Sequence, residues 1–253
     1  IEHDSVLEVA QQYTYGVIPV DSGGVIDLET ARRLIQDDTV LVSCMYANNE
    51  IGTVQPLRKL GSLVEAERKR RGPHGMPIYF HTDAAQAANY SPLLAHSLKV
   101  DMMSLNSGKI YGPKGVGGLY VGATVQLQAQ QLGGGQERGL RSGTENVAGI
   151  VGFAEALRQA STNKNTESAR LLALQTLLVD GLSRIGGHIN GSLTSRLPNN
   201  VHVSFYGQDN ERLVLELDSL GYMVSSGSAC HARSGELSRV LSAIGVTDDQ
   251  SRS

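Results

Sequence analysis

The sequence has no tryptophan, only two cysteines among 253 residues, and no long apolar run. Two cysteines far apart, Cys44 and Cys230, do not make a disulfide framework, so a reducing, cytoplasmic compartment is expected. No apolar stretch approaches the roughly 18 to 20 residues needed to cross a bilayer, and the start of the chain does not resemble a signal peptide. The formal net charge of −3 gives no electrostatic case for nucleic acid. We therefore expect neither a membrane nor a nucleic acid among the partners.

The chain alternates apolar, strand-like runs with helical patterns. Strands are predicted at 39–46, 77–81, 102–105, 118–121 and 200–205, and helices at 57–71, 93–98, 146–185, 210–220 and from 236 onward. The run at 39–46 is nearly continuous in apolar residues, as in a buried parallel strand. The long helical pattern is interrupted by the polar stretch 161–168. These features predict a doubly wound α/β fold with a domain transition near residue 160, which gives domains 1–160 and 161–253.

Two chemically useful side chains follow predicted strands. Asp83 comes just after the strand at 77–81, and Lys109 comes just after the strand at 102–105. Ligands of such sheets bind at the carboxyl ends of the strands. A lysine can hold pyridoxal phosphate (PLP) as a Schiff base, and a carboxylate keeps the pyridine nitrogen of PLP protonated. This pairing predicts a PLP site, and burial of Lys109 would favour its reactive free amine.

Cys230 is the second candidate reactive group. It lies in a loop of small residues and is followed by His231. Only a thiolate is nucleophilic, and a loop that can move would let it visit a substrate sulfur and then an acceptor. Cys44 lies within an apolar run, where a thiol behaves as a small hydrophobic group, so we expect it to be structural.

Six segments, in order along nearly the whole chain, resemble the cysteine desulfurase and selenocysteine lyase family, the NifS-like, class-V branch of PLP fold-type I. They are 47–52 (ANNEIG), 81–86 (HTDAAQ), 109–115 (KIYGPKG), 133–144 (GGGQERGLRSGT), 196–200 (RLPNN) and 226–230 (SGSAC). The resemblance implies a large α/β domain with a mainly parallel, seven-stranded type of sheet, here truncated, and a smaller C-terminal α+β domain. It also implies a homodimer.

The resemblance assigns roles to the residues that match these segments. Lys109 would be the Schiff-base lysine and proton shuttle, and Asp83 would bind the pyridine nitrogen. Gln86 would bind the phenolic oxygen of PLP. Cys230 would be the nucleophile that takes sulfur as a persulfide.

Three further positions match residues that surround the cofactor in the family. His3 would stack on the ring face, and Asn49 would lie near the phenolic oxygen and the substrate carboxylate. Thr144 would reach the phosphate of the partner subunit's cofactor.

The chain also departs from the family's pattern at the phosphate site. Gly108 stands where the family usually has histidine, and Asn106 stands where it usually has serine. Asn106 or Ser107 could still donate hydrogen bonds to the phosphate. The family's phosphate-cradling turn at a helix N-terminus precedes the first residue here, so the chain is expected to be an interior piece or a truncated relative.

The resulting expectation is a PLP enzyme that converts L-cysteine to L-alanine and leaves a persulfide on Cys230 for a sulfur-acceptor or iron–sulfur scaffold protein. L-Selenocysteine is an alternative substrate. Another fold-type I enzyme, such as an aminotransferase, would keep Lys109 and Asp83 but would not need Cys230. A truncated relative that acts only as a binding or scaffold protein, and a purely structural α/β domain, are the remaining alternatives.

Overall fold

The computed structural model describes residues 1–226 and 238–247. Its main sheet has four strands in the order β1-β2-β3-β4. These are β1 (Leu41–Ser43), β2 (Tyr79–Asp83), β3 (Met102–Asn106) and β4 (Gly117–Val121). The first three strands are parallel, and β4 is antiparallel to β3. The predicted mainly parallel α/β sheet is thereby confirmed.

Seven α-helices and a small second sheet complete the part of the chain that the structure describes. The helices are α1 (Asp4–Ala10), α2 (Leu28–Leu34), α3 (Leu57–Arg71), α4 (Ala95–Leu98), α5 (Val147–Arg184), α6 (Asn210–Ser219) and α7 (Arg239–Ala243), and the small antiparallel sheet pairs β5 (His188–Ile189) with β6 (Val203–Ser204). The bounds of α3 agree with the prediction. The short helices α1 and α2 were not predicted, because seven residues show too little periodicity.

The main core lies between α3 and the sheet. Leu57, Leu60 and Val64 recur on one face of α3 and are buried in one cluster with Val42 and Phe80 of the sheet. The opposite face of the helix remains polar, and its last turn carries four basic residues that complement the helix dipole. This packing fixes the sheet from which the candidate site projects.

The basic residues at the end of α3 are engaged in contacts within the chain. Arg68 pairs with Asp101 at 2.7 Å, Arg71 pairs with Glu67 at 2.7 Å, and Arg70 also pairs with Glu67. The Arg68–Asp101 pair holds the helix end against the start of β3, whereas the two pairs with Glu67 lie within α3.

Strand β1 is shorter and less buried than predicted. It covers three residues rather than eight, and Val40 and Leu41 are 47% and 52% exposed. Only Val42 within the strand is buried. The reason is that β1 is the edge strand in the described part of the chain, so one of its sides has no neighbouring strand.

Helix α5 runs without interruption through 38 residues, so the predicted break at 161–168 is wrong. That stretch is polar but contains neither glycine nor proline, and it lies on a largely exposed part of the helix. Near its start, α5 buries Phe153 against Ile110 and Ala88. The domain boundary near residue 160 falls inside this helix and stays a prediction. None of the helices in residues 1–226 and 238–247 is both long and apolar enough to cross a membrane.

Replacing Gly52 with alanine is expected to lower the free energy of unfolding by roughly 2–4 kcal/mol. Gly52 has φ 71°, and an added Cβ would lie 2.6–2.7 Å from the side chain of Asn200. The matched control is Gly207→Ala, because Gly207 has φ 82° but open space around it, so only backbone strain of roughly 1 kcal/mol applies. Urea denaturation of both variants measures the difference. An equal loss of unfolding free energy in the two variants would show that the close contact with Asn200 contributes nothing to the effect.

Candidate functional site

The candidate site lies at the edge of the sheet where the three parallel strands end. Strand β1 ends at Ser43, β2 at Asp83 and β3 at Asn106. Asp83 is in register with Ser104 of β3, and Lys109 lies in the 3-10 turn Ser107–Ile110 that directly follows β3. The structure therefore brings Asp83 and Lys109 to the same edge, as the sequence predicts.

A hydrogen bond ties the segment after β2 to the lysine turn. The side-chain amide of Asn89 donates to the carbonyl oxygen of Lys109 at 3.1 Å. The backbone N–H of Ala84 also donates to the carbonyl of Ser104 at 2.9 Å. The two elements that carry the candidate carboxylate and amine are therefore held together by direct contacts.

Asp83 is half-buried, and one of its carboxylate oxygens is free to accept a further hydrogen bond. Oδ1 accepts the backbone N–H of Ala85 at 2.9 Å, which fixes the orientation of the carboxylate. Within residues 1–226 and 238–247, Oδ2 has no hydrogen-bond partner. A protonated pyridine nitrogen is a donor that requires such an acceptor, so this carboxylate fits the polar group that PLP would present.

Lys109 is exposed, so the burial considered at the sequence level is not found in this structure. Its turn is rigid, because the side chain of Asn106 accepts from Gly108 N–H at 2.9 Å and Gly112 N–H donates to the carbonyl of Ser107 at 3.0 Å. No acidic side chain pairs with the Lys109 amine in the described part of the chain. The amine is therefore available to a carbonyl compound.

The predicted phosphate contacts differ in their accessibility. The Ser107 side chain is fully buried, and its Oγ has no hydrogen-bond partner among the described residues. It lies under Gly112, where an added Cβ would come within 2.3 Å of it. Asn106 is exposed and uses Oδ1 to cap the turn, which leaves its NH₂ group to donate. The geometry favours Asn106 over Ser107 as a phosphate donor, and both assignments stay predictions.

The remaining predicted cofactor contacts lie on loops and at a helix start. His3 is the N-cap of α1, and its Nδ1 accepts from Ser5 N–H at 3.1 Å. Asn49 and Gln86 are half-buried in the turns that follow β1 and β2. Thr144 is exposed just before α5. The roles of these four residues stay predictions.

A polar bridge crosses the strand ends beside Asp83 and was not predicted from the sequence. The two ring nitrogens of His81 bond to Ser43 Oγ at 2.8 Å and to Ser104 Oγ at 2.9 Å. Burial lowers the pKa of His81, and the charge of Asp83 opposes this effect. The only signal in the sequence is that His81 precedes Asp83 by two residues and so lies on the same face of β2.

Of the two cysteines, only Cys44 lies within the residues that the structure describes. Cys44 is buried, and desolvation raises the pKa of its thiol well above the ordinary value. This confirms the expectation that Cys44 is structural, because a buried thiol with a raised pKa is a poor nucleophile. Cys230 and His231 lie outside the described residues.

Comparisons with known proteins agree with the motifs. A family model described as aminotransferase class-V matches residues 1–244. The cysteine desulfurase IscS of Histophilus somni is 44% identical over 260 residues, with 100% of this chain and 62% of that protein covered. The cysteine desulfurase IscS of Clostridium botulinum is 42% identical over 257 residues, with 97% and 62% covered. The chain thus spans about 62% of the length of these curated relatives.

A solved structure also matches over the full length of the chain. The structure of a protein titled NifS-like is 37% identical and has a TM-score of 0.89, with 100% of this chain and 66% of that chain covered. The predicted fold class, a PLP fold-type I α/β domain, is confirmed by this match together with the family model.

Proposed function

Because the chain belongs to the class-V aminotransferase family, we propose that it is part of a PLP-dependent cysteine desulfurase. The observation that carries the proposal is the placement of Asp83 and Lys109 at one sheet edge, each with an unengaged polar group. The relatives named cysteine desulfurase IscS support the choice of reaction within the family. L-Cysteine is the proposed substrate, and L-selenocysteine is the alternative.

The residues of the chain would divide the work as follows. PLP supplies an aldehyde carbon that binds amines and a protonated ring that accepts electrons. Lys109 would bind that carbon and later move a proton at the substrate's α- and β-carbons. Asp83 would hold the ring-nitrogen proton through Oδ2, and the Ala85 N–H that binds Oδ1 keeps the carboxylate oriented toward it.

Cys230 would carry out the sulfur transfer. Its thiolate forms a bond to the substrate sulfur, and the bond between that sulfur and the β-carbon breaks. The electron pair stays with carbon, which gains a proton and is released as L-alanine, while Cys230 keeps the sulfur as a persulfide. The cysteine substrate and the Cys230 thiol supply all the atoms, so the step needs no external oxidant. The persulfide would pass to a sulfur-acceptor or iron–sulfur scaffold protein.

We also propose that the protein forms a homodimer and is located in the cytoplasm. A homodimer would let Thr144, exposed in the single chain, reach the phosphate in the partner's site. A cytoplasmic location agrees with the use of a free thiol as nucleophile. Size-exclusion chromatography with light scattering tests the dimer, and an entirely monomeric PLP-loaded protein would contradict it.

The distinction from an aminotransferase rests on the product. A desulfurase forms alanine from cysteine without an added keto acid, whereas an aminotransferase requires a keto acid to accept the amine. Incubating the PLP-loaded protein with cysteine alone and assaying alanine separates the two. Turnover that depends on an added keto acid would overturn the proposal.

Asp83→Asn is expected to reduce alanine formation by about 100- to 1,000-fold, the range for loss of one preorganised electrostatic contact. A neutral amide cannot hold the ring-nitrogen proton as a carboxylate does, so the ring accepts electrons less well. The steady-state rate with saturating PLP and cysteine measures the effect.

Asp101→Asn is the matched control for Asp83→Asn. Asp101 directly precedes β3 and therefore lies at the opposite edge of the sheet, where it pairs with Arg68. The control variant should keep its activity within a few-fold. Equal losses in both variants would indicate a general effect on the fold and would contradict the specific role of Asp83.

A further inference from the structure

Glu2 makes a contact at the candidate site that the proposed reaction does not use. Its Oε1 accepts the backbone N–H of Met45, two residues beyond β1, at 2.6 Å. The N–H groups on either side, of Cys44 and Tyr46, donate to carbonyls of β2. The Met45 N–H therefore points away from β2, and Glu2 takes the place that a carbonyl of a neighbouring strand would occupy.

A second contact ties the same segment to the turn after β1. The side chain of Asn48 donates to the carbonyl of Ile1 at 2.9 Å, and its Oδ1 accepts from the N–H groups of Glu50 and Ile51. The segment that carries His3 is therefore attached at two points to the turn that carries Asn49. His3 and Asn49 are both predicted to contact the cofactor.

The carboxyl end of Glu2 is buried although the residue as a whole is half-buried. Oε2 has no hydrogen-bond partner in the part of the chain that the structure describes. Burial raises the pKa of Glu2, and the negative charge of Asp83 raises it further, while the Met45 bond and the Ile1 amino group act in the opposite direction. The Cys44 thiol also lies close by. An ionised carboxylate with an unpaired buried oxygen beside a second carboxylate is costly, so an uncharged carboxyl group suits this position.

We propose that Glu2 is a positioning residue that works as an uncharged carboxylic acid, tying the His3 segment to the end of β1 and leaving Asp83 as the anion at the cofactor site. This inference deepens the proposed function and rests on it. Two acids at one site would then have different tasks: the unengaged Oδ2 of Asp83 would bind the cofactor, and Glu2 would hold the His3 segment in place.

Variants of Glu2 test separately whether its side chain is uncharged and whether its contact with Met45 supports the cofactor site. Glu2→Gln keeps an oxygen acceptor for Met45 N–H and is uncharged, so PLP affinity should stay within about twofold of the unaltered protein. Glu2→Ala removes the acceptor, and PLP should bind about tenfold more weakly. Glu8→Ala is the control, because Glu8 lies in helix α1, which begins just after the His3 segment, is exposed, and pairs with Arg239 among the residues that the structure describes. Titration with PLP, followed by absorbance, gives the dissociation constants of the unaltered protein and of the three variants.

Two outcomes of the PLP titration would overturn the inference. A Glu2→Gln variant as weak as Glu2→Ala would show that a negative charge is required and would overturn it. A Glu2→Ala variant that binds PLP as well as the Glu8→Ala control would show that the attachment has no effect on the site and would also overturn it.

The pH dependence of stability supplies a test that does not require PLP. The pKa of folded Glu2 is raised above 4.5, so its ionisation costs folding stability as pH rises from about 4.5 through the folded value. Glutamine does not titrate. Denaturant unfolding should therefore show the unaltered protein losing stability relative to Glu2→Gln over this interval. The other titratable groups that act on Glu2 or lie beside it are the Ile1 amino group, Asp83 and Cys44, and they are common to both proteins.

A relative gain in stability, or no change, would contradict the uncharged state of Glu2. If the unaltered protein fails to bind PLP, the proposed function fails. The unfolding measurement still decides the protonation of Glu2, so the two failures can be distinguished.

Discussion

Alanine formation from cysteine is expected to disappear in Cys230→Ser, while the absorbance of bound PLP is retained. The hydroxyl of serine is not ionised near neutral pH and does not attack a substrate sulfur, whereas a thiolate does. The loss should be roughly 1,000-fold or more, as for removal of a catalytic nucleophile. Alanine assay under saturating cysteine measures the rate, and the PLP spectrum shows that the cofactor site is intact.

Cys44→Ala provides the control for Cys230→Ser, because these are the only two cysteines of the chain. Cys44 is buried, and the pKa of its thiol is raised well above the ordinary value, so it cannot replace Cys230 as nucleophile. The control variant should keep turnover and form the persulfide. Unchanged turnover in Cys230→Ser would rule out the desulfurase reaction. It would favour another fold-type I reaction that needs only Lys109 and Asp83.

Lys109→Ala is expected to abolish both the absorbance band of covalently held PLP, in about the 390–420 nm range, and turnover. The lysine amine is the attachment point for the cofactor and the proton carrier. Loss of the proton transfer alone is expected to cost about 100- to 10,000-fold, and loss of the attachment adds to it. A spectral titration with PLP and the alanine assay give the two readouts.

Lys114→Ala is the matched control, since Lys114 is exposed and only five residues further along the same glycine-rich segment. Its spectrum and activity should equal those of the unaltered protein. A PLP band that survives in Lys109→Ala would show that another amine holds the cofactor. No band in any of the proteins, together with no alanine, would instead favour a scaffold or binding protein that has lost the chemistry.

Local patterns in the sequence predict the strands and the helix that position the site. The apolar spacing of Leu57, Leu60 and Val64 gives the bounds of α3, and the apolar runs before Asp83 and Lys109 give parallel strands whose ends meet at one edge. The positions of the carboxylate and the amine follow, because residues just beyond parallel strands share an edge of the sheet. The resemblance to the family supplies the chemical roles that the strand pattern alone does not.

Contacts between distant parts of the chain could not be predicted in this way. Glu2 meets Met45 across 43 positions, and His81 meets Ser43 across 38, so no local periodicity connects either pair. The partial exposure of β1 depends on which strands flank it, and the burial of Ser107 depends on Gly112 closing over it. These features arise from the assembled sheet and turns, which a pattern of single residues does not encode.

The most direct test of the paired roles of Lys109 and Asp83 is to treat the PLP-loaded protein with borohydride and locate the label by peptide mass spectrometry. Reduction converts the bond between cofactor and lysine into a stable amine. The proposed function predicts a phosphopyridoxyl label on Lys109, with weaker PLP binding in Asp83→Asn at the same attachment point. A label on Lys114 or any other lysine, in protein that binds PLP, would contradict it.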